Sequence, residues 1–271
     1  MKKSRILLYL ALATLALLVA IPVIFTFILS FKTITEIYQD IWALPSGFYL
    51  GNYIEVVDLM ASPLMNSFII TIPATLLTVF LGSLGAYGLS KFNFRLKPIY
   101  YYIMVSATLI PAHTILSPIF QLWYSLNLID TYIGLILIEA IFSTAYAVII
   151  LRSFFERIPR ELLDAARVEG CSNFSLYWRI IMPLSIPALI SAFVIEFVYI
   201  WNDFLWPLIL APSASVQPMT LAILRMAGTH AVAWNLRAAA AIVASLPPLI
   251  LFVVLQKYFI RGILGGAVIK K

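Results

Sequence analysis

The sequence contains unusually few charged residues. Of its 271 residues, 11% are charged and 63% are hydrophobic, whereas ordinary soluble domains carry about 25% charged residues. Several nearly uncharged stretches exceed about 18 residues, enough for a helix to cross a hydrocarbon core of about 30 Å. A soluble fold would have to hide all of this apolar surface in one core. The composition therefore excludes an ordinary soluble domain and predicts an all-α membrane protein.

Residues that carry redox, metal or nucleotide chemistry are also scarce. The single cysteine, Cys171, excludes an intrachain disulfide and a cysteine-rich metal cluster. The two histidines, His113 and His230, are too far apart in sequence to form a local metal motif. The chain contains no G-x-x-x-x-G-K-[ST] phosphate loop and no serine, histidine and acid arrangement. We therefore expect no metal site, no catalytic residue and no cofactor bound by this chain.

The apolar runs predict six membrane-spanning helices. Their approximate bounds are 6–29, 63–89, 98–120, 131–151, 185–210 and 236–258. The first run follows Lys2, Lys3 and Arg5 and resembles a signal peptide, but it is too long for a signal core and no clear cleavage site follows. We interpret it as a retained first helix.

The basic residues predict the orientation of these spans. With the N-terminus in the cytoplasm, the outer segments contain only Lys32, Arg225 and Arg237 of the 18 lysines and arginines. Cytoplasmic segments are enriched in lysine and arginine, so both termini are predicted to be cytoplasmic in a multi-pass protein of the cell membrane. The net charge of +6 is explained by this topology better than by nucleic-acid binding, since the charges form no single stripe.

The predicted spans divide the chain into three parts. Residues 1–62 hold the first transmembrane helix and an external segment, with a predicted short surface helix at 52–60. Residues 63–260 are predicted to form the core transmembrane domain, which contains a polar cytoplasmic loop at 152–182, and residues 261–271 a cytoplasmic tail. No internal repeat is evident, which argues against the many secondary transporters that are built from repeats.

The cytoplasmic loop has the pattern of a helix, a sharp turn and a second helix. It reads IPRELLDAARVEGCSNFSLYWRIIMPLSIP from Ile158 to Pro187. Pro159 can start a helix, and Glu161 and Asp164 suit its positive N-terminal end. A mostly apolar stripe of small residues is predicted along this helix: Leu162, Ala165, Ala166 and Glu169.

The turn and the second helix of the loop also have sequence signals. Gly170 fits the left-handed position that often ends a helix. Ser172 can cap the next helix, which Pro183 is predicted to kink before it enters the membrane.

These spacings resemble the EAA loop of ABC importer permeases. The consensus is Glu-Ala-Ala, three residues, Gly, nine residues, Ile, any residue and Leu-Pro, and the matching positions here are Asp164, Ala165, Ala166, Gly170, Ile180, Met182 and Pro183. Asp replaces Glu and Met replaces Leu. The resemblance implies that the loop is the coupling helix that contacts an ATPase subunit, through Glu161, Asp164, Ala165, Ala166, Gly170 and Pro183. The alternative is a solvated connector whose five basic residues only fix the topology.

Three further runs resemble the carbohydrate-importer, maltose-transporter-type branch of the binding-protein-dependent transport inner-membrane family. They are AYGLSKFNFRLK at 86–97, WNDFLWPLIL at 201–210 and QKYFIRGILGGAVIK at 256–270. The resemblance implies the type I ABC importer permease fold and half of a translocation pathway for a sugar or oligosaccharide. The implied partners are two cytoplasmic ATPase subunits that bind ATP and Mg, a second permease subunit and an extracytoplasmic solute-binding protein. A polyamine or phosphate ester as solute, or an ion-coupled secondary transporter, remains an alternative.

Four polar residues within the spans are candidates for a solute pathway. Glu139 and Glu196 lie near the middle of predicted spans, where a charge costs about 2.5 to 3.5 kcal/mol, so they should face the bundle interior. Asp203 is predicted two turns beyond Glu196 on nearly the same face, next to Asn202. Nearby aromatic residues would suit a sugar: Tyr199, Trp201 and Trp206. The alternative role of these polar groups is hydrogen bonding between helices.

Overall fold

The structure is a computed structural model that describes residues 2–226 and 233–264, with side chains for 5–226 and 233–258. The described residues form helices and no strand. The elements are α1 (Lys2–Ser30), α2 (Ile34–Gln39), α3 (Gly51–Lys91), α4 (Lys97–Leu109), a 3₁₀ turn (Ala112–Ile115), α5 (Leu116–Ser125), α6 (Tyr132–Phe155), α7 (Arg160–Val168), α8 (Asn173–Leu176), a π-helical turn (Tyr177–Ile181), α9 (Met182–Leu184), α10 (Ile186–Asn202), α11 (Leu205–Leu210), α12 (Met219–Arg225) and α13 (Trp234–Leu264). His230 lies outside the described residues, as does the predicted tail 261–271 except for the backbone of 261–264.

Four of the described helices are long and apolar enough to cross a membrane: Arg5–Ser30, Gly51–Lys91, Tyr132–Phe155 and Trp234–Tyr258. Two bent helix pairs would raise the number to six. In one pair α4 meets 112–125 at 94°, and in the other 173–184 meets α10 at 76°. The all-α membrane architecture is confirmed, whereas the count of six spans stays a prediction.

Four predicted helices differ from those in the structure. The predicted surface helix at 52–60 and the span at 63–89 form one continuous helix, α3, because Pro63 and Pro73 are accommodated within it. The span predicted at 98–120 breaks before Pro111, since proline has no N–H and pushes Ile110 to an extended conformation (φ −76°, ψ 117°). The span predicted at 185–210 ends at Asn202.

The chain divides into two compact units, and the first comprises residues 1–64 and 219–247. A buried amide network joins its segments: Asn52 Nδ2 donates to the carbonyl oxygens of Ser30 and Lys32 at 2.8 Å, and Asn235 Nδ2 donates to Asn52 Oδ1 at 2.7 Å. Lys32 is also buried, and its Nζ donates to the Asp40 carbonyl oxygen at 2.7 Å. These hydrogen bonds fix the segment that follows α1 against the first residues of α3.

A capping box that the sequence analysis missed begins α2 in the same unit. The Thr33 hydroxyl accepts from Glu36 N, and Thr33 N donates to Glu36 Oε2 at 2.7 Å. The signal was present as Thr33-x-x-Glu36. The Ser46 hydroxyl and the backbone N–H groups of Thr33 and Ser46 donate to the Glu36 carboxylate and lower its pKa from 4.5 to about 2.

The second compact unit comprises residues 65–218 and 248–271. Within it, α6 packs against α4 and α10. α3 approaches α6 closely at Gly82, where an added Cβ would come within 2.5 Å of Ala147 Cβ. Small residues at such crossings let membrane helices pack tightly. This unit contains all of the residues predicted to form the coupling loop and the solute pathway.

Candidate coupling loop and solute cavity

The first arm of the loop is α7, which begins after Pro159 and contains the predicted site residues Glu161, Asp164, Ala165 and Ala166. Glu161 lies in its first turn, where a negative charge favours the helix dipole. Asp164 pairs with Arg167 one turn later, with 2.9 Å between Asp164 Oδ1 and Arg167 Nη1. Both side chains are exposed, so this pair contributes little to stability.

Gly170 ends α7 in a left-handed conformation, with φ of +88°. Cys171 N donates to the Ala166 carbonyl oxygen at 3.0 Å, and Gly170 N donates to the Arg167 carbonyl oxygen at 2.9 Å. These two bonds are the Schellman motif, which satisfies carbonyl groups at a helix end and reverses the chain. The predicted conformation of Gly170 is confirmed.

The second arm runs from Asn173 to Leu184 through α8, the π-helical turn and α9. The Ser172 hydroxyl caps it by accepting from Ser175 N at 3.2 Å, as predicted. The predicted kink before the membrane helix is confirmed, and the bend lies at Ser185, two residues after Pro183. Pro187 has no N–H to donate to the carbonyl oxygen of Pro183, which weakens the helix at that point.

Contacts that the sequence did not predict fasten the loop to α3. The hydroxyls of Tyr177 and Ser83 are 2.6 Å apart, and Tyr87 Oη donates to the Asn173 carbonyl oxygen at 3.0 Å. Lys91 Nζ donates to the Ile158 carbonyl oxygen at 2.7 Å. A buried apolar cluster that includes loop residues supports these bonds: Leu151, Phe155, Leu163, Leu176, Tyr177 and Ile181. The loop is therefore held by the helices beneath it.

Several apolar residues of the loop are exposed on its outer face, beside its charged residues. Leu162 and Ala165 are exposed, as are Val168 (90%) and Phe174 (74%). The predicted stripe of small exposed residues is wrong at Ala166, which packs inward against the buried cluster beside Leu163. A loop with a fixed inner face and exposed large apolar side chains on its outer face is suited to contact another protein.

A cavity of about 400 Å³ lies in the second unit where two helices are broken. Its wall includes Ile110 and Pro111 at the end of α4, together with Asp203 and Phe204 between α10 and α11. Non-helical backbone at membrane depth is tolerated where it lines a cavity, and discontinuous helices often form binding sites in transporters.

Polar groups and aromatic rings share the wall of this cavity. Tyr146 Oη donates to the Thr108 carbonyl oxygen at 3.0 Å, and the Tyr146 and Tyr199 rings are 6.0 Å apart between centroids. Trp206 also lines the wall, and its ring packs on the Phe142 ring with 4.8 Å between the ring centroids. Rings of this kind pack against the apolar faces of a ligand while hydroxyls fix its orientation.

Asp203 and Glu139 form a carboxyl pair at this wall. Asp203 is the C-cap residue that follows α10, and the backbone leaves the helix after it (φ −67°, ψ 137°). Its Oδ2 accepts from Trp206 N at 3.0 Å, and a side-chain hydrogen bond joins it to Glu139. Two carboxyl groups can bond in this way only when they share a proton. The Trp206 N–H favours the negative charge on Asp203, so Glu139 is the donor.

Of the four predicted pathway residues, only Asp203 lines this cavity, whereas Glu139, Glu196 and Asn202 do not. Glu196 is 1% exposed, and its Oε1 has no hydrogen-bond partner among the described residues. Asn202 is exposed, and its Nδ2 donates to the Val198 carbonyl oxygen of its own helix at 2.7 Å. The expectation that Glu139 and Glu196 face the interior is confirmed by their burial.

A helical membrane protein with a fixed inter-helix loop and a cavity at broken helices has the architecture of a transport permease. The chain belongs to the family of binding-protein-dependent transport system inner membrane components, whose family model matches residues 74–265. It is therefore a multi-pass membrane subunit of an ABC transport system and not itself a catalytic subunit.

Relatives with this architecture are similar over most of their length. The glucose import system permease protein GlcU of Saccharolobus solfataricus is 34% identical over 95% of this chain and 93% of its own. The probable ABC transporter permease protein YurM of Bacillus subtilis is 30% identical, over 92% of this chain and 84% of its own. The sn-glycerol-3-phosphate transport system permease protein UgpE of Yersinia pestis is 32% identical, over 75% of this chain and 72% of its own.

A solved structure has the same fold. It is a bacterial ABC transporter involved in the import of the acidic polysaccharide alginate, with a TM-score of 0.79. The match covers 94% of this chain and 95% of that one at 23% identity. The shared fold extends well beyond the residues that the family model matches.

Proposed function

We propose that this chain forms half of the translocation pathway of an ABC importer for a sugar or oligosaccharide. Six spans would cross the membrane with both termini in the cytoplasm, in the type I importer permease arrangement. The chain would assemble with a second permease subunit. An extracytoplasmic binding protein would deliver the solute to the outer segments at 32–62 and 211–235.

The observation that carries the proposal is the geometry of the coupling loop. Buried Leu163 and the bond from Lys91 Nζ to the Ile158 carbonyl oxygen connect the loop to the transmembrane helices. Exposed Val168 and Phe174 are available on its outer face for an ATPase subunit. A displacement of that subunit during ATP binding would therefore move the helices through a rigid contact, and ATP and Mg would bind to the two ATPase subunits.

The solute class is supported by the cavity and by the relatives. The cavity combines tyrosine rings with hydrogen-bonding groups, which suits a molecule with hydroxyls and apolar ring faces. A relative named for glucose import is 34% identical to this chain. A phosphate ester is the second candidate solute, because another relative is named for sn-glycerol 3-phosphate.

The test is to purify the complex of this chain with its permease partner and ATPase subunits, in membrane discs with the binding protein. Sugar added to this complex should stimulate ATP hydrolysis. Val168→Asp with Phe174→Asp should reduce the amount of copurified ATPase subunit, whereas Leu44→Asp, at another exposed apolar residue outside the loop, should not. Full ATPase binding by the double variant would refute the role of the loop.

A further inference from the structure

The wall of the cavity contains acidic charge and no permanent cation among its described residues. Its ionisable side chains are Asp203, His113, Tyr146 and Tyr199, and none of the described lining residues is lysine or arginine. Glu139 lies behind this wall and is hydrogen-bonded to Asp203. Sites that bind phosphate or carboxylate groups usually present arginine, which can donate two parallel hydrogen bonds.

The charge of the wall is not positive with His113 in either protonation state. With Glu139 as the protonated donor and Asp203 as the ionised acceptor of their hydrogen bond, the pair carries one negative charge. With a neutral His113 the wall has a net negative charge, and with a protonated His113 the two charges cancel. An anionic solute would therefore meet the Asp203 carboxylate and no lysine or arginine among the described residues of the wall.

Neutral polyhydroxylated molecules fit the same groups. Each hydroxyl can donate to the Asp203 carboxylate or exchange hydrogen bonds with the tyrosine hydroxyls. The Tyr146 and Tyr199 rings provide an apolar surface for the C–H face of a sugar ring. Since relatives are named both for glucose and for the anionic sn-glycerol 3-phosphate, family membership leaves the charge of the solute open.

We propose that this cavity selects solutes by charge, accepting neutral sugars and excluding anionic ones, and that Asp203 is the discriminating residue. The inference rests on the proposed function, since it requires the sugar to pass through this cavity. It narrows that function by rejecting phosphate esters and uronates as solutes.

The test compares three sugars with one ring scaffold: glucose, glucosamine and glucuronate. Binding is measured by saturation-transfer NMR on the complex of this chain, its permease partner and the ATPase subunits in membrane discs. The binding protein is omitted because it would impose its own selection. We expect glucose and glucosamine to bind at least about tenfold more tightly than glucuronate, because like charges in a desolvated site repel.

Asp203→Asn should remove most of this discrimination. It keeps an oxygen that can accept from Trp206 N, so the local fold is preserved. The ratio of glucose to glucuronate affinity should fall to within about threefold. The matched control is Asp58→Asn, which makes the same charge change at an exposed residue that does not line the cavity, and its ratio should match wild type.

A second variant tests the same inference in case the Asp203→Asn protein does not assemble into the complex. His113→Lys adds a permanent cation at an exposed position of the wall and should strengthen glucuronate binding at least about threefold. Glucuronate binding to wild type within threefold of glucose would overturn the inference and leave the sugar pathway intact. An unchanged ratio in assembled Asp203→Asn, or in His113→Lys, would overturn it as well. Absence of binding by all three sugars would instead refute the proposed sugar pathway through this cavity.

Discussion

Replacement of Gly170 by valine tests whether the turn after α7 aligns the coupling loop. The φ of Gly170 is +88°, and an added Cβ would meet no atom within 4 Å. The cost of a side chain is therefore conformational and not a clash with neighbours. It is roughly 1 to 2 kcal/mol for an ordinary residue in the left-handed region and up to about 3 kcal/mol for a strained one.

This strain is large enough to change the population of the native turn. Each 1.4 kcal/mol is a factor of about ten, so roughly 1 to 3 kcal/mol lowers the native turn relative to its alternatives by about 5-fold to 150-fold. A backbone that relaxes to negative φ would lose the bond from Cys171 N to the Ala166 carbonyl oxygen. The second arm of the loop would then start in a different direction.

The assay measures the ATPase subunit that copurifies with the chain and the ATP hydrolysis that sugar stimulates. Gly170→Val should weaken both while the protein still inserts, because the turn lies outside the long apolar helices. Gly170→Asn should have the smallest effect on both measurements, since asparagine tolerates the left-handed region. Gly170→Ala should have an intermediate effect.

Gly47→Val is the matched control for this series. An added Cβ at Gly47 also meets no atom within 4 Å, and Gly47 has no positive φ. It makes the same substitution without the conformational cost. If Gly170→Val retained ATPase binding and stimulated hydrolysis at the level of Gly47→Val, the turn would have no part in coupling.

Three further predictions concern single side chains. Leu163→Ala should destabilise the loop by about 2 to 5 kcal/mol in a thermal or denaturant assay, because the Leu163 side chain is buried (2% exposed). The control Leu162→Ala should destabilise it much less, because Leu162 is 44% exposed. Asp203→Leu should reduce transport more than it reduces the yield of assembled complex, because Asp203 lines the cavity, and normal uptake by this variant would show that Asp203 does not contribute to the pathway. The folded pKa of Glu36 is depressed to about 2 from 4.5, so its stabilisation is complete above pH 4.5 and is lost as the pH falls toward 2. The protection of backbone amides at 33–46 against hydrogen exchange, corrected for the intrinsic rate, should fall over this pH range in the wild type. In Glu36→Gln the protection should depend little on pH.

The membrane class and the loop turn were accessible from the sequence because each depends on local chemistry. Long uncharged runs specify helices in a bilayer wherever they occur in the chain. Gly170 was recognisable because few residues other than glycine adopt a positive φ readily, and its position after a short amphipathic helix marked the helix end. Burial of Glu139 and Glu196 also followed from the cost of charge in a membrane.

The cavity and the carboxyl pair were decided only by tertiary structure. Pro111 removes a backbone N–H from its helix, but nothing local showed that the break there and the one at Asp203 would line the same space. Sequence periodicity predicted the helical face of Asp203, but it could not show that the Asp203 carboxyl group bonds to Glu139 on α6. Contacts between residues so far apart in sequence depend on how the helices pack, and helical periodicity specifies only which residues share a face of one helix.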